Sequence, residues 1–114
     1  MTDALSLERR GAVGVFHLDD GKANALSFEL IASIRLALAE AEADDDVRAV
    51  VLHGRPGKFS GGFDLGVMMG SDLGATIQLV ADGGELVRDL YGSSVPVVAA
   101  CTGHALAAGA LVLL

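Results

Sequence analysis

Two segments rich in glycine and alanine constrain this chain more than any other feature. The first, residues 59–65, reads Phe-Ser-Gly-Gly-Phe-Asp-Leu, and the second, residues 95–109, reads Val-Pro-Val-Val-Ala-Ala-Cys-Thr-Gly-His-Ala-Leu-Ala-Ala-Gly. In each, a strand-like apolar run ends in a turn of small residues that leads towards helical sequence. Brought together, two such turns would direct two backbone N–H groups at one point. This is how a protein holds an oxyanion without a charged side chain.

Strand-like and helical patterns alternate along the rest of the chain. Strands are predicted at residues 5–10 and 12–18, as a hairpin at a sheet edge, and as buried apolar runs at residues 47–53 and 95–101. Helices are predicted after Ser27, a candidate N-cap, and over residues 77–91, where Gly83 and Gly84 interrupt the pattern. Apolar strands that alternate with helices predict an α/β architecture with parallel pairing.

A third segment, Asp19-Asp20-Gly21-Lys22-Ala23-Asn24-Ala25-Leu26, precedes the first predicted helix. The three segments, in this order and spacing, resemble the crotonase (enoyl-CoA hydratase/isomerase) superfamily, and the resemblance runs from about residue 5 to residue 114. It implies an α/β fold, the crotonase (ClpP/crotonase-like) spiral of ββα units. Members of that superfamily run to more than twice this length. Residues 1–114 are therefore expected to be the N-terminal part of an acyl-CoA-binding core, without the family's C-terminal helical region.

The resemblance also implies which residues act. The backbone N–H groups of Phe63 and Ala108 would form an oxyanion hole for the thioester oxygen of an acyl-CoA substrate. Contacts to CoA are implied for seven further residues: Lys22, Ala23, Ala25, Ser60, Gly62, Asp64 and Leu65. The CoA thioester is itself the substrate, so no separate cofactor is implied. The alternatives are that the small residues serve only tight turns, that Lys22 is solvated, and that Asp64 caps the next segment.

One departure from the family pattern concerns the acid–base groups. Many hydratases of the superfamily carry a glutamate three residues after the second oxyanion donor, where this chain has Leu111. Conventional two-glutamate hydration is therefore not expected. Apart from Cys101, His104 is the only titratable side chain after residue 94. It is interpreted either as an acid–base group or as a buried, hydrogen-bonded histidine.

Three functions follow from these observations. The leading hypothesis is an acyl-CoA-processing enzyme of the enoyl-CoA hydratase/isomerase type that stabilises a thioester enolate. The second is a non-catalytic acyl-CoA-binding member, and the third is an assembly-dependent structural fragment without activity, whose turns do no chemistry. The resemblance implies a homo-oligomer, a trimer or a hexamer.

Composition excludes several other classes. A net charge of −7, a single tyrosine and no tryptophan argue against nucleic-acid binding. Pro96, Gly103 and Gly109 interrupt the apolar C-terminal run, so no membrane span is expected, and the three histidines lack the spacing of metal ligands. Residues 1–6 have no signal-peptide pattern, and Cys101 has no partner for a disulfide. A cytoplasmic location is expected, with Cys101 as a small buried residue.

Overall fold

The computed structural model describes residues 4–113, which contain eight strands and four helices. The strands are β1 (Leu5–Arg10), β2 (Val13–Leu18), β3 (Ala25–Leu26), β4 (Ala49–His53), β5 (Gly57–Ser60), β6 (Gly62–Phe63), β7 (Val97–Ala100) and β8 (Gly103–Ala105). The helices are α1 (Phe28–Ala43), α2 (Leu65–Met68), α3 (Leu73–Tyr91) and α4 (Ala108–Val112).

Three sheets organise these elements. The largest has the order β1-β2-β4-β7, with an antiparallel β1–β2 hairpin and parallel pairing from β2 onwards. Two short parallel pairs, β3–β6 and β5–β8, form the other sheets. Each unit of the chain contributes a long strand to the large sheet, then one or more short strands, then a helix. The units therefore stack as a spiral of strand–strand–helix repeats, as the resemblance implied.

Helix α1 shows how the sequence directs this packing. The Ser27 hydroxyl accepts a hydrogen bond from the Leu30 N–H at 3.1 Å and so satisfies one free donor of the first turn. The buried face carries Leu30, Ile31, Ile34, Ala37, Leu38 and Ala41 at helical spacing. This face joins the core around Phe16 and Leu52. On the outer side, Arg35 Nε lies 2.6 Å from Asp89 Oδ2 and links α1 to α3.

Most predicted elements are confirmed, with three corrections. The strand predicted at residues 47–53 starts at Ala49, because the N–H groups of Val47 and Arg48 bond to the Asp44 and Ala12 carbonyls outside the sheet. The last strand, predicted as buried, is only partly so: Val98 is 57% exposed, because β7 is an edge strand in the described part of the chain. Helix α3 starts four residues earlier than predicted, where Asp72 accepts from the Ala75 N–H.

Candidate active site

The first of two turns at the candidate site spans residues 60–63 and joins β5 to β6. Gly62 has φ +98°, a backbone region that residues with a side chain rarely adopt. The Ser60 hydroxyl accepts from the Gly62 N–H at 3.2 Å and donates to the Asn24 carbonyl at 2.8 Å. Ser60 is 2% exposed, so these two bonds satisfy a buried hydroxyl and tie this first turn to the loop before β3.

Asn24 is the polar centre of that loop and is fully buried. Its Nδ2 donates to the carbonyls of Leu18, at 2.8 Å, and Phe59, at 3.0 Å, while its Oδ1 accepts from the Asp20 N–H at 2.9 Å. Its φ of +53° suits asparagine, which tolerates the left-handed region better than most residues. One side chain thus joins the ends of β2 and β5.

The carboxylate of Asp20 stabilises the same loop by accepting hydrogen bonds from its backbone. Its carboxylate accepts hydrogen bonds from the backbone N–H groups of Lys22, Asn24 and Ala25. Burial of Asp20 opposes ionisation, but these three donors, with Arg55 nearby, outweigh it and hold the pKa of Asp20 below its usual value. The loop is therefore organised around a charged carboxylate at neutral pH.

The second turn spans residues 106–109 and leads into α4. Ala107 has φ +50° and ψ −122°, and the Gly109 N–H donates to the Leu106 carbonyl at 2.8 Å. These values correspond to a type II′ turn, which normally has glycine at the position that Ala107 occupies. Ala107 is therefore a strained residue next to a predicted oxyanion donor.

The two turns are in direct contact. The Leu106 N–H donates to the Ser60 carbonyl at 2.9 Å. A Cβ atom added to Gly62 would lie 3.2 Å from Ala107 Cβ and 3.4 Å from the Ala108 nitrogen, and one added to Gly109 would lie 2.3 Å from the Ser60 carbonyl oxygen. Glycine is needed at both positions because the two backbones approach so closely.

An apolar cavity of about 340 Å³ opens beside this contact. Phe63 and Ala108, the two predicted donors, both lie on its wall. The other lining residues are Leu26, Val80, Gly83, Gly84, Val87, Leu111 and Val112. None of the described residues on this wall carries a carboxylate, and the position that the resemblance assigns to a hydratase glutamate is occupied by the 53%-exposed Leu111.

The remaining predicted CoA contacts lie around the first turn. Ala23 is exposed, and its carbonyl accepts from the Gly61 N–H at 2.7 Å. Lys22 is exposed in the loop, and its carbonyl accepts from Arg55. Ala25 is half-buried, and Leu65 is 69% exposed. Asp64 caps α2 by accepting from the Gly66 N–H at 2.8 Å, which was the alternative interpretation of that residue.

Two expectations about the second segment are wrong. Cys101 is exposed, because it follows β7 rather than lying within it, and its thiol donates to the Gly103 carbonyl at 3.2 Å. His104 is exposed in β8 opposite Lys58, so it is not a buried histidine. It is not among the described residues that line the cavity, and its acid–base role stays a prediction.

Sequence reasoning missed two residues that shape this site. In the sequence, Asn24 stands out only as a member of the third segment, residues 19–26, although its side chain holds the loop. Gly83 was treated as a weakness of α3, although it is buried on the cavity wall against the Phe63 ring. A glycine inside a strongly helical pattern is a signal for close packing, and it was available in the sequence.

A spiral of strand–strand–helix units, with two glycine-containing turns meeting beside a cavity, defines the crotonase class of fold. Residues 8–114 match the family model described as "Enoyl-CoA hydratase/isomerase". The chain belongs to this enoyl-CoA hydratase/isomerase family.

Sequence relatives agree with this assignment. A putative enoyl-CoA hydratase of Thermus thermophilus is 39% identical over 109 residues, which cover 89% of this chain and 42% of that protein. A glyoxysomal fatty acid beta-oxidation multifunctional protein of Cucumis sativus is 36% identical over 101 residues, covering 85% of this chain and 14% of that protein. The chain thus spans less than half the length of these relatives.

Solved structures agree as well. A Mycobacterium tuberculosis protein described as an enoyl-CoA isomerase is 40% identical, with a TM-score of 0.89 over 99% of this chain and 48% of its own. A second structure of the same protein, described as a probable enoyl-CoA hydratase, is also 40% identical, with a TM-score of 0.91, over 97% of this chain and 47% of its own. Among the helices within residues 4–113, none has the length and apolar character to cross a membrane.

Proposed function

We propose that this protein binds an acyl-CoA thioester and stabilises an enolate on the thioester oxygen with the N–H groups of Phe63 and Ala108. One observation carries the proposal: the two turns touch at Gly62 and Ala108, and both donor residues border one apolar cavity. Each donor of such a hole typically contributes about 3–4 kcal/mol to the stability of the transition state.

Hydrogen bonding around the two donors supports this proposal. The Asp64 N–H donates to the Leu26 carbonyl at 3.0 Å. Successive N–H groups of an extended strand point to opposite sides, so the Phe63 N–H is expected to point away from β3. Within residues 4–113, no backbone carbonyl accepts from the Ala108 N–H, although Ala108 is only 7% exposed. We therefore expect both N–H groups to be available to a ligand oxygen.

The cavity suits the acyl part of the ligand. Its wall is aliphatic and aromatic, and a neighbouring cavity of about 510 Å³ shares Gly84, Val87 and Val112 with it. An acyl chain that enters beside Phe63 would have room to extend along α3. Apolar walls also strengthen the hydrogen bonds to the oxyanion, because they lower the local dielectric constant.

The CoA part of the ligand is proposed to lie along the loop before β3 and the first turn. Lys22 and Ala23 are exposed there, and Lys22 would meet a phosphate group. Ala25, Asp64 and Leu65 would contact the adenine and pantetheine parts, largely through the backbone. Ser60 and Gly62, which the resemblance also implied as contacts, are buried and would shape the turn instead.

A direct test removes one donor without removing a side-chain function. Ala108 is the first residue of α4, a position that tolerates proline, and Ala108→Pro deletes the N–H. The measurement is the exchange of the α-protons of an enolisable acyl-CoA in D₂O. We expect Ala108→Pro to lower the exchange rate about 10²–10³-fold. The matched variant Ala108→Gly, which keeps the N–H, should remain within severalfold of the unmodified protein. Equal rates for both variants at equal melting temperature would contradict the oxyanion assignment.

The reaction is proposed to be isomerase-like rather than hydration: a base that the described cavity wall does not supply would take the α-proton and return it at the γ-carbon, and no water would be added. Leu111 on the cavity wall can neither orient nor deprotonate water, so hydration of a short enoyl-CoA should be weak or absent. Leu111→Glu should recover part of the about 10²–10⁴-fold that such groups contribute, provided that a partner carboxylate lies beyond residue 114. Rapid hydration by the unmodified protein would contradict this proposal.

A second candidate is a non-catalytic acyl-CoA-binding protein, and the absence of a carboxylate from the described cavity wall favours it. Acyl-CoA binding without any α-proton exchange, measured by calorimetry and NMR on the same sample, would support this alternative.

We also propose that the protein self-associates as a trimer or a hexamer in the cytoplasm. Large side chains are exposed around α2 and α3: Leu65 at 69%, Met69 at 82%, Leu73 at 71% and Ile77 at 61%. Apolar surface of this extent marks interfaces or aggregation. Light scattering that finds a stable monomer of 11.6 kDa would contradict the self-association.

A further inference from the structure

Helix α3 contains two successive glycines with very different surroundings. A glycine in a helix interior is destabilising relative to alanine, so its presence calls for a packing reason. Gly84 is exposed, and a Cβ added to it would meet no atom within 4 Å. Gly83 is buried, and a Cβ added to it would lie 2.4 Å from Phe63 Cε1 and 2.5 Å from Phe63 Cζ. The tip of the Phe63 ring therefore occupies the space of a missing side chain.

The surroundings of Phe63 restrict where its ring can move if it is displaced from Gly83. Phe63 belongs to β6 and pairs with Leu26 of β3, and the preceding residue, Gly62, lies against the second turn. Phe63 also lies on the cavity wall, so we expect a ring that is displaced from Gly83 to rotate into the cavity. The walls of that cavity include Leu26 and Val87. The depth of the cavity therefore depends on how closely the Phe63 ring packs against Gly83 of α3.

We propose that Gly83 is a specificity-determining residue that sets the depth of the acyl cavity by holding the Phe63 ring inside α3. The inference rests on the proposed acyl-CoA function for its ligand, but its packing basis does not. A side chain at position 83 would push the ring into the space that the distal part of an acyl chain occupies. Long acyl chains would lose contact, whereas short ones would not reach the displaced ring.

The packing is tested first, without any ligand, by melting temperatures. Gly83→Ala should lower the melting temperature by about 5 °C or more, because the methyl group collides with the ring. Gly84→Ala adds the same methyl group to the same helix in open space, so it should raise the melting temperature by a few degrees. Phe63→Leu lacks the ring tip and keeps the backbone N–H. In the Phe63→Leu background, the fall in melting temperature caused by Gly83→Ala should shrink by at least half, while the change caused by Gly84→Ala should stay the same.

The specificity is tested next, by the ratio of dissociation constants for a short-chain and a long-chain acyl-CoA. Gly83→Ala should shift this ratio about tenfold against the long chain, as expected when two methylene groups lose their apolar contacts. The double variant with Phe63→Leu should restore the preference for the long chain. General destabilisation alone would weaken both ligands together and leave the ratio unchanged, which would overturn the proposal.

The two tests separate this inference from the proposed function. If the unmodified protein binds no acyl-CoA, the proposed function fails, and with it the role of Gly83 in specificity, while the melting temperatures still report the packing of the ring. If acyl-CoA binds but Gly83→Ala melts like Gly84→Ala and keeps the same chain-length ratio, the proposed function stands and the role of Gly83 is refuted.

Discussion

The first turn, residues 60–63, is held by polar side chains, whereas the second turn, residues 106–109, is held by backbone contacts and small residues. Around the first turn, the buried side chains of Asn24 and Ser60 hydrogen-bond to five backbone groups, those of residues 18, 20, 24, 59 and 62. Around the second turn, the bonds run between main-chain atoms, from Leu106 to Ser60 and from Gly109 to Leu106.

This difference predicts which kind of substitution should destabilise each turn. A turn that depends on hydrogen-bonding side chains is sensitive to the loss of a polar group, because an unpaired buried group costs about 1–3 kcal/mol. It is also sensitive to pH, because the carboxylate of Asp20 takes part in the hydrogen bonds of the adjoining loop before β3. A turn that depends on close backbone approach is sensitive to volume, because there is no side chain that can move aside. Both turns must hold if Phe63 and Ala108 are to face the same ligand atom.

The largest effect should follow from a small increase in volume at the second turn. Gly109→Ala would place a methyl group 2.3 Å from the Ser60 carbonyl oxygen, so one backbone must move. We expect a loss of about 3 kcal/mol or more in the free energy of unfolding, measured by urea denaturation. Gly84→Ala, which has open space, is the control. Equal midpoints for the two variants would show that the turns do not touch as described.

A smaller loss should follow from removing the polar centre of the first turn. Asn24→Ala leaves the carbonyls of Leu18 and Phe59 without their donor, and we expect it to cost about 2–3 kcal/mol in the free energy of unfolding. Asn24→Gly accommodates the positive φ and lacks the side chain, so it separates the backbone contribution from the hydrogen bonds. If Asn24→Gly were as stable as the unmodified protein, the hydrogen bonds would not hold this turn.

The pH dependence of stability should come from the first turn. The pKa of Asp20 is lowered in the folded protein, so its contribution is fully present above the ordinary aspartate pKa of about 4 and is lost as pH falls through the folded value. We expect Asp20→Asn to cost about 1 kcal/mol at pH 7 and to flatten the stability curve below pH 4. The comparison is urea unfolding at several pH values between about 2 and 7. An unchanged acid slope in the variant would contradict the role of Asp20.

The smallest effect should be a gain at the second turn. Ala107→Gly relieves the strain of φ +50° and ψ −122°, which exceeds the entropic cost of glycine in the unfolded chain. We expect a stabilisation of about 0.5–1 kcal/mol. Ala110→Gly, inside α4, should instead destabilise by a similar amount. If both variants destabilise equally, Ala107 is not strained.

The sequence predicted the fold well because hydrophobic spacing and caps are local signals. The Ser27 cap, the buried face of α1 and the hairpin before it are all confirmed. The side-chain network of the first turn was not predictable in this way, since Asn24 and Phe59 are 35 residues apart. Their contact depends on where two strands end in space.

Histidine positions illustrate the same limit. His17 and His53 are 36 residues apart in the sequence, yet the parallel register of β2 and β4 places them side by side, with 3.3 Å between their Nδ1 atoms. Glu8 on β1 reaches His17 Nε2 at 2.6 Å. Hydrogen bonds from Arg10 and from His17 lower the pKa of Glu8. Strand register, which the sequence does not state directly, creates this cluster.

The pairing of β5 with β8 also has a consequence for protein synthesis. Ser60 pairs with Ala105, which follows it by roughly 45 residues. At a ribosome speed of about 5–20 residues per second, about 2–9 s pass between the synthesis of β5 and that of its partner strand. During that interval, the nascent chain presents the unpaired edge of β5. An unpaired edge of this kind is open to non-native pairing, so a chaperone that covers β5 until β8 has been made would favour the native pairing.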